Sequence, residues 1–357
     1  MVQKKNSLLI LAFIGVTFGF SQLQIDPLNY SNRMNNEIYG EYKTTNHSSI
    51  LPIITTAPSF EKGKGYLIAS NKSKNTHFIF YPLADLSLGI QNEQNPYGIP
   101  FDAGLGLGMD ISANKLFFTA KILPYFTNSG FVRDSIQTTA GFDPGGSRSI
   151  DKNLFLQNEV TLAYRPNKFF TFIGGNGRNF FGEGYRSLIL SDNAVPNPFF
   201  KIETSFANVK YVNLYQMWKD NTVDPSNHSL DQNKFAAMHY ISWNITREFN
   251  VSIFETVVWQ ANDTLINRGF DPNYLNPIVF YRPVEYGNGS ADNVLLGANM
   301  SFKFDNYNSI YTQLILDDFL LSEIRARSRW WANKYGFQFG FKSYQFLNKK
   351  DLFFQTE

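Results

Sequence analysis

Residues 102–111 read "DAGLGLGMDI" and residues 335–342 read "YGFQFGFK". In a strand, successive side chains point to opposite faces, so a period of two sorts each stretch into two rows. Ala103, Leu105, Leu107, Met109 and Ile111 oppose Asp102, Gly104, Gly106, Gly108 and Asp110. Tyr335, Phe337, Phe339 and Phe341 oppose Gly336, Gln338, Gly340 and Lys342. A third stretch sets Leu296, Ala298, Met300, Phe302 and Phe304 against Gly297, Asn299, Ser301 and Lys303. One row is apolar and often aromatic, the other small or polar. That pattern predicts the wall of a transmembrane β-barrel, apolar toward lipid and polar toward the interior, with glycines lining a lumen or letting the strand curve. A soluble β-sandwich carries the same alternation but rarely gathers so many phenylalanines on one face.

Composition supports the same class. The chain has 357 residues, with Lys+Arg 32 against Asp+Glu 30, a balance of +2 that fits neither a nucleic-acid binder nor an acidic tail. Charged residues make up 17%, below the roughly 25% of soluble domains, while Phe 35, Tyr 19 and Trp 5 supply 17% aromatics. A mean hydropathy of -0.25 excludes a bundle of membrane helices. The absence of cysteine excludes disulfides, thiolate metal sites, Cys nucleophiles and a lipid-attachment Cys.

At the N-terminus Lys4 and Lys5 precede the apolar run Leu8 to Phe20, which ends in Gly19-Phe20-Ser21. This is the layout of a secretory signal peptide over residues 1–21, with export leaving Gln22 at the mature end and an outer-membrane destination. Residues 22–76 are polar, Asn-rich and poorly patterned, and are expected to lie outside the wall as a periplasmic or plug segment. Residues 77–357 are expected to form the barrel. Strands are predicted over Leu83–Ile90, Lys115–Leu123, Leu154–Tyr164, Phe169–Ile173, Phe200–Tyr215, Phe235–Ile245, Asn250–Trp259 and Ser309–Leu316. Between them lie turn residues such as Asn128-Ser129-Gly130, Asp143-Pro144-Gly145-Gly146 and Arg165-Pro166-Asn167. Tyr125, Tyr164, Tyr215, Trp218, Trp243 and Trp259 fall near strand ends, as aromatic girdles at the two interfaces require. The expected fold is therefore all-β: a large antiparallel outer-membrane β-barrel of roughly 14 to 18 strands. The ending "DLFFQTE" reads as the middle of a strand, so further strands after Glu357 are expected to complete the barrel.

Motifs for chemistry are sparse. His47, His77, His228 and His239 form no metal-spaced pair. Gly145-Gly146-Ser147-Arg148-Ser149 lacks the last glycine of a nucleophile elbow, and a GxGxxG frame from Gly175 ends on Phe180. Neither a catalytic group, a metal nor a cofactor is expected. The richest stretch is Gly174 to Glu203, "GGNGRNFFGEGYRSLILSDNAVPNPFFKIE", where glycine turns, two arginines and a polar SDN sit between aromatic strands. It resembles the Wzi-like capsule-assembly outer-membrane proteins, which share a (W/F)GPG turn, SL-x-LS and NARP. Phe181, Gly182, Gly184, Ser187, Leu188, Leu190, Ser191, Asn193, Ala194 and Pro196 match, while Glu183 replaces the proline and Val195 the arginine. The strings Gly269 to Glu285, Asp292 to Gly297, Tyr311 to Phe319 and Arg329 to Lys342 are similar to the gliding-motility-associated RemB-like branch.

The resemblance implies an outer-membrane barrel without enzymatic activity, tied to surface polysaccharide or to surface motility. Its partners would be outer-membrane lipid, together with surface polysaccharide or motility and secretion proteins, and no nucleic acid. Candidate ligand-binding residues are Arg178, Glu183, Tyr185, Arg186, Ser191 and Asn193 around the glycine turns, Tyr274 and Arg282 in a long loop, and Arg325, Arg329, Trp330 and Trp331, where cations lie beside flat rings. Arg178 and Arg186 can equally pair with Glu183, Asp192 or interior acids to brace the barrel. The Arg-Trp cluster can equally be an interfacial girdle. Polar inner faces also admit a third reading, a diffusion channel.

Overall fold

The computed structural model describes residues 24–25, 47–52, 54–55, 69–72, 76–88, 99, 101–128, 147–151, 153–192, 196–220, 232–262, 268–278, 292–317, 325–326, 334–349 and 352–357. They are organised around one 15-stranded antiparallel sheet. Its strands are β1 (Ala69–Lys72), β2 (Thr76–Leu88), β3 (Phe101–Ala113), β4 (Leu116–Thr127), β5 (Ser147–Asp151), β6 (Leu154–Tyr164), β7 (Phe170–Gly177) and β8 (Asn197–Phe206). They continue through β9 (Val209–Asp220), β10 (Gln232–Asn244), β11 (Phe249–Gln260), β12 (Asn293–Lys303), β13 (Asn308–Asp317), β14 (Lys334–Ser343) and β15 (Phe354–Thr356). Each pairs with its neighbour in sequence, except that β4 pairs with β6 while β5 runs beside the first residues of β6. The first described wall strand, Ala69–Lys72, precedes the expected start at residue 77.

The three alternating stretches lie as their period demands. On β3 and β14 the apolar rows point away from the interior, Leu105 77% and Phe337 68% exposed, while Gly108, Gly340 and Lys342 are buried. On β12 Met300 and Phe302 are exposed and Asn299 and Ser301 buried. The opposite face is concave. Residues 47–51 and 180–192 lie against it and touch strands far apart in the order: the Phe181 ring stacks on Tyr240 of β10 at 4.6 Å, and Leu188 N–H donates to Gln313 of β13 at 2.9 Å. A sheet that keeps polar groups inside and large apolar side chains outside cannot be a soluble sandwich, whose apolar faces meet each other. It is the inside-out sheet of an outer-membrane β-barrel.

The connections divide by length. Most short ones, among them those joining β3 to β4, β6 to β7, β8 to β9, β10 to β11 and β12 to β13, fall at one end, while the short connection from β5 to β6 falls at the other. Side chains fold several of them: Asn167 Oδ1 accepts from the Phe169 and Phe170 N–H groups, Asp305 Oδ1 from those of Tyr307 and Asn308, and Thr246 Oγ1 from those of Glu248 and Phe249. The long ones, after β2, β7, β9, β11 and β13, fall at the other end. Short turns face the periplasm in such barrels and long connections face outward.

Two expectations are corrected. Phe200–Tyr215 is not one strand but a hairpin: Phe206 pairs with Val209 across a two-residue turn at Ala207 and Asn208. The turn needs Ala207 at φ 49°, a conformation alanine seldom adopts, so no glycine or proline announces it. Of the six girdle aromatics, only Tyr164 and Trp243 are exposed among the outward rows. Tyr125 stacks on Phe155 inside, Trp218 packs on the inner core, and Tyr215 and Trp259 are buried on the outer face beneath a loop.

The inner-face glycines make room for rings. Tyr81 of β2 is paired with Gly108 of β3, and Tyr311 of β13 with Gly340 of β14. A Cβ on Gly108 would lie 2.2 Å from the Tyr81 ring, and one on Gly340 would lie 2.1 Å from the Tyr311 ring. Gly108→Ala is therefore expected to cost about 1–3 kcal/mol by overpacking, read as the urea midpoint of the lipid-reconstituted protein. In a Tyr81→Ala background the same change should cost less, because the obstructing ring is gone.

Candidate functional site

The stretch from Arg178 to Asp192 leaves β7 at the long-connection end and folds into the interior. Phe180–Phe181 pairs with Ile50–Leu51, and Phe181 also bridges to Leu190, closing the loop on itself. Phe181, Ile189 and Ile50 join Val212, Leu214, Met238, Tyr240 and Phe254 in one buried apolar cluster. Burial of these rings and branched side chains fixes the depth of the loop, and hydrogen bonds fix its shape.

Ser187 Oγ donates to Phe181 O and accepts from the Ile189 N–H at 3.1 Å. Gln313 reaches in from β13: its Oε1 accepts from the Leu188 N–H at 2.9 Å and its Nε2 donates to Ser187 Oγ at 3.1 Å. Gly182 has φ 148°, and a Cβ there would lie 2.3 Å from Gln313 Nε2, so a glycine is required by both backbone and space. Glu183 turns inward, accepting from Ser48 Oγ at 2.7 Å and lying 4.0 Å from Lys342 Nζ.

Tyr185 and Arg186 form the tip. The guanidinium lies over the Tyr185 ring, 4.4 Å from its centroid, and 3.7 Å from Asp192 Oδ1, and both side chains keep about half their surface exposed. The Tyr185 and Arg186 N–H groups donate to the Glu357 carboxylate at 3.1 and 3.2 Å, and Tyr311 Oη donates to the same carboxylate at 2.8 Å. The tip thus holds a carboxylate with two backbone donors and one phenol, beside a cation stacked on a ring.

The other sequence candidates separate. Arg178 pairs with Glu159 at 2.9 Å, and Lys121 lies 3.8 Å from the same carboxylate, which is the bracing role. Ser191 is half-buried, with its Oγ unpartnered among the described residues. Arg325 is exposed. Asn193, Arg282, Arg329, Trp330 and Trp331 lie outside the described residues. Tyr274 faces neither solvent nor interior: it is buried against the outer face of the sheet, where its Oη donates to Asp292 at 2.6 Å.

Two groups escaped the sequence reading. Lys201, Glu203 and Lys210 form an ion-pair chain on the inner face, with Glu203 3.2 Å from Lys201 and 3.4 Å from Lys210. Lys201 and Glu203 follow the period of two, but Lys210 lies at an odd offset of seven, which puts it on the opposite face of a single long strand and on the same face only across the hairpin. The second group is Arg268, which grips Asp292 through Nη1 and Asp271 through Nη2 and Nε.

No family model matches the chain, and no curated protein matches it. Among solved structures it is similar to in-vitro folded OmpT, an outer membrane protein of Vibrio cholerae, at 14% identity and a TM-score of 0.28, covering 69% of this chain and 88% of that one. A likeness at that score carries no argument about function.

Gln313→Leu deletes the acceptor of the Leu188 N–H and the donor to Ser187 in one step. We expect a loss of about 1–3 kcal/mol and faster tryptic cleavage after Arg186 than in the parent protein, read by peptide mapping of the folded protein in lipid.

Proposed function

We propose that this chain is a non-enzymatic outer-membrane β-barrel protein of the Wzi-like kind, exported by its signal peptide, that binds or organises surface polysaccharide through acidic sugars. The observation that carries the reading is the loop tip, where the Tyr185 and Arg186 backbone donors already hold a carboxylate beside the stacked Arg186–Tyr185 pair. A uronic acid offers the same carboxylate together with a flat sugar face suited to an aromatic ring. The motif residues Phe181, Gly182, Gly184 and Ser187, on which the resemblance to capsule-assembly proteins rests, are the ones that shape this turn.

Titrating the protein in lipid with a hexuronic-acid oligosaccharide should show saturable binding that weakens with salt and is about tenfold weaker in Arg186→Ala. Glu357→Ala, which clears the competing carboxylate, should bind at least as well as the parent. Absence of binding, with surface carbohydrate unchanged on deletion of the gene, overturns the reading.

A second reading, a component of gliding-motility or secretion machinery, is supported by the resemblance of strings in the second half to the RemB-like branch. Crosslinking on intact cells would then recover motility or secretion proteins, and deletion would impair movement. A diffusion channel is disfavoured by the apolar cluster around Phe181 and Ile189 on the inner face.

A further inference from the structure

The outward face of β9, β10 and β11 is not apolar throughout. It carries Tyr211, Asn213, Tyr215, His239, Glu255 and Trp259, all of them buried except the half-buried Tyr211. His239 Nδ1 lies 3.6 Å from Glu255 Oε2 on the neighbouring strand. On a wall whose other outward positions are Ile241, Trp243, Val251, Ile253, Met300 and Phe302, such groups are out of place unless something covers them.

Residues 268–278 cover them. The segment starts beside Trp259, at the long-connection end of β11, and descends to Tyr211, two residues from the short-turn end of β9. Four of its carbonyls are taken by polar tips on the wall. Trp259 Nε1 donates to Gly269 O at 3.1 Å, Tyr215 Oη to Leu275 O at 3.3 Å and Tyr211 Oη to Pro277 O at 2.5 Å, while His239 Nε2 meets Asn276 O at 3.0 Å. Donors are handled as thriftily. Pro272 and Pro277 have none, the Asn273 N–H donates to Asp271 Oδ1 at 2.9 Å and the Ile278 N–H to Asn276 Oδ1 at 3.0 Å. The Arg268–Asp271–Asp292–Tyr274 cluster pins the upper end, and the Tyr274 ring fills the space against Trp259 at 4.8 Å.

What the segment shows to its surroundings is mainly apolar: Phe270, Leu275 and Ile278 are exposed, as are Pro272 and Pro277, with Asn273, near the pinned upper end, the one exposed polar residue among them. Water would satisfy loop carbonyls at no structural cost, so side-chain donors at each of these positions are unneeded in an aqueous setting. In lipid they are obligatory, because non-strand backbone at membrane depth persists only when protein satisfies it. We propose that residues 268–278 form a re-entrant strap that lies in the acyl-chain region of the bilayer, sealed polar side inward on β9–β11 and contacting lipid through Leu275, Ile278 and the two prolines. The strap's apolar face is continuous with the lipid-facing rows below it, at Ile253 and Trp243.

The chain has no cysteine, so single labels are unambiguous. Leu275→Cys and Ile278→Cys, spin-labelled and reconstituted in phospholipid vesicles, are read by collision with oxygen, which concentrates in lipid, and with a water-soluble nickel chelate. Ile253→Cys serves as the lipid-facing reference and Asn306→Cys as the turn reference. Accessibility at 275 and 278 should match that at 253, and the double substitution Tyr211→Phe with His239→Leu should shift it toward that at 306. Values matching Asn306→Cys in the parent protein overturn the proposal. Protection from both reagents also overturns it, since it would mean that a second protein, not lipid, covers the strap. Both labelled positions are exposed, and retention of heat-modifiable gel mobility confirms that the variants fold.

Discussion

Every part of this molecule answers to one constraint: a backbone amide or carbonyl away from water must find its partner within the protein. The sheet meets it through continuous antiparallel ladders, from β1 to β15. The inner loop meets it through Gln313 and Ser187, which supply the bonds that Leu188, Ile189 and Phe181 cannot obtain from a neighbouring strand. The outer segment meets it through Trp259, Tyr215, His239 and Tyr211. These are one solution at three levels, and they explain why polar side chains occur where a simple apolar-out, polar-in rule would not place them.

The interior is held by a different economy. Lys201 has no exposure at all, yet it keeps a charge partner in Glu203, which is shared with Lys210. Removing one member of such a chain strands a buried charge, so the three residues behave as a unit. Around them, Val212, Leu214, Met238 and Phe254 form an apolar patch on the same inner face. The inner face is therefore neither a uniformly wetted lining nor a soluble-type core, but a polar surface with one apolar seat into which the loop at Phe181 and Ile189 fits.

Much of this was legible in the chain, and the rest was hidden for identifiable reasons. The rows of Leu105, Phe337 and Met300 gave face and strand together, because a period of two survives any detail of packing. The predicted strand Leu154–Tyr164 has the bounds seen in the fold. What failed was punctuation and partnership. The turn at Ala207 carries no sequence mark, and Tyr215 and Trp259 look like girdle residues until the loop lying on them is known. Around the glycine turns, residue type was read correctly but destination was not: Glu183 is spent on Ser48, and Arg178 on Glu159, while Arg186 retains an open side. Such assignments depend on contacts set by the fold, between partners 135 positions apart for Glu183 and 19 apart for Arg178, which no local pattern encodes.

The Tyr311–Gly340 pair solves a problem that alternation leaves open. Slipping two strands by one residue sends an apolar row inward, and the error is expensive at once. Slipping them by two preserves every inside and outside assignment, so the hydrophobic pattern is blind to it. At β13 and β14 a two-residue slip would carry the Tyr311 ring from Gly340 onto Gln338 or Lys342, where a side chain occupies the space the ring needs. A missing Cβ thus acts as an address: it separates the native register from its two-residue neighbours, alignments that lipid alone would accept equally.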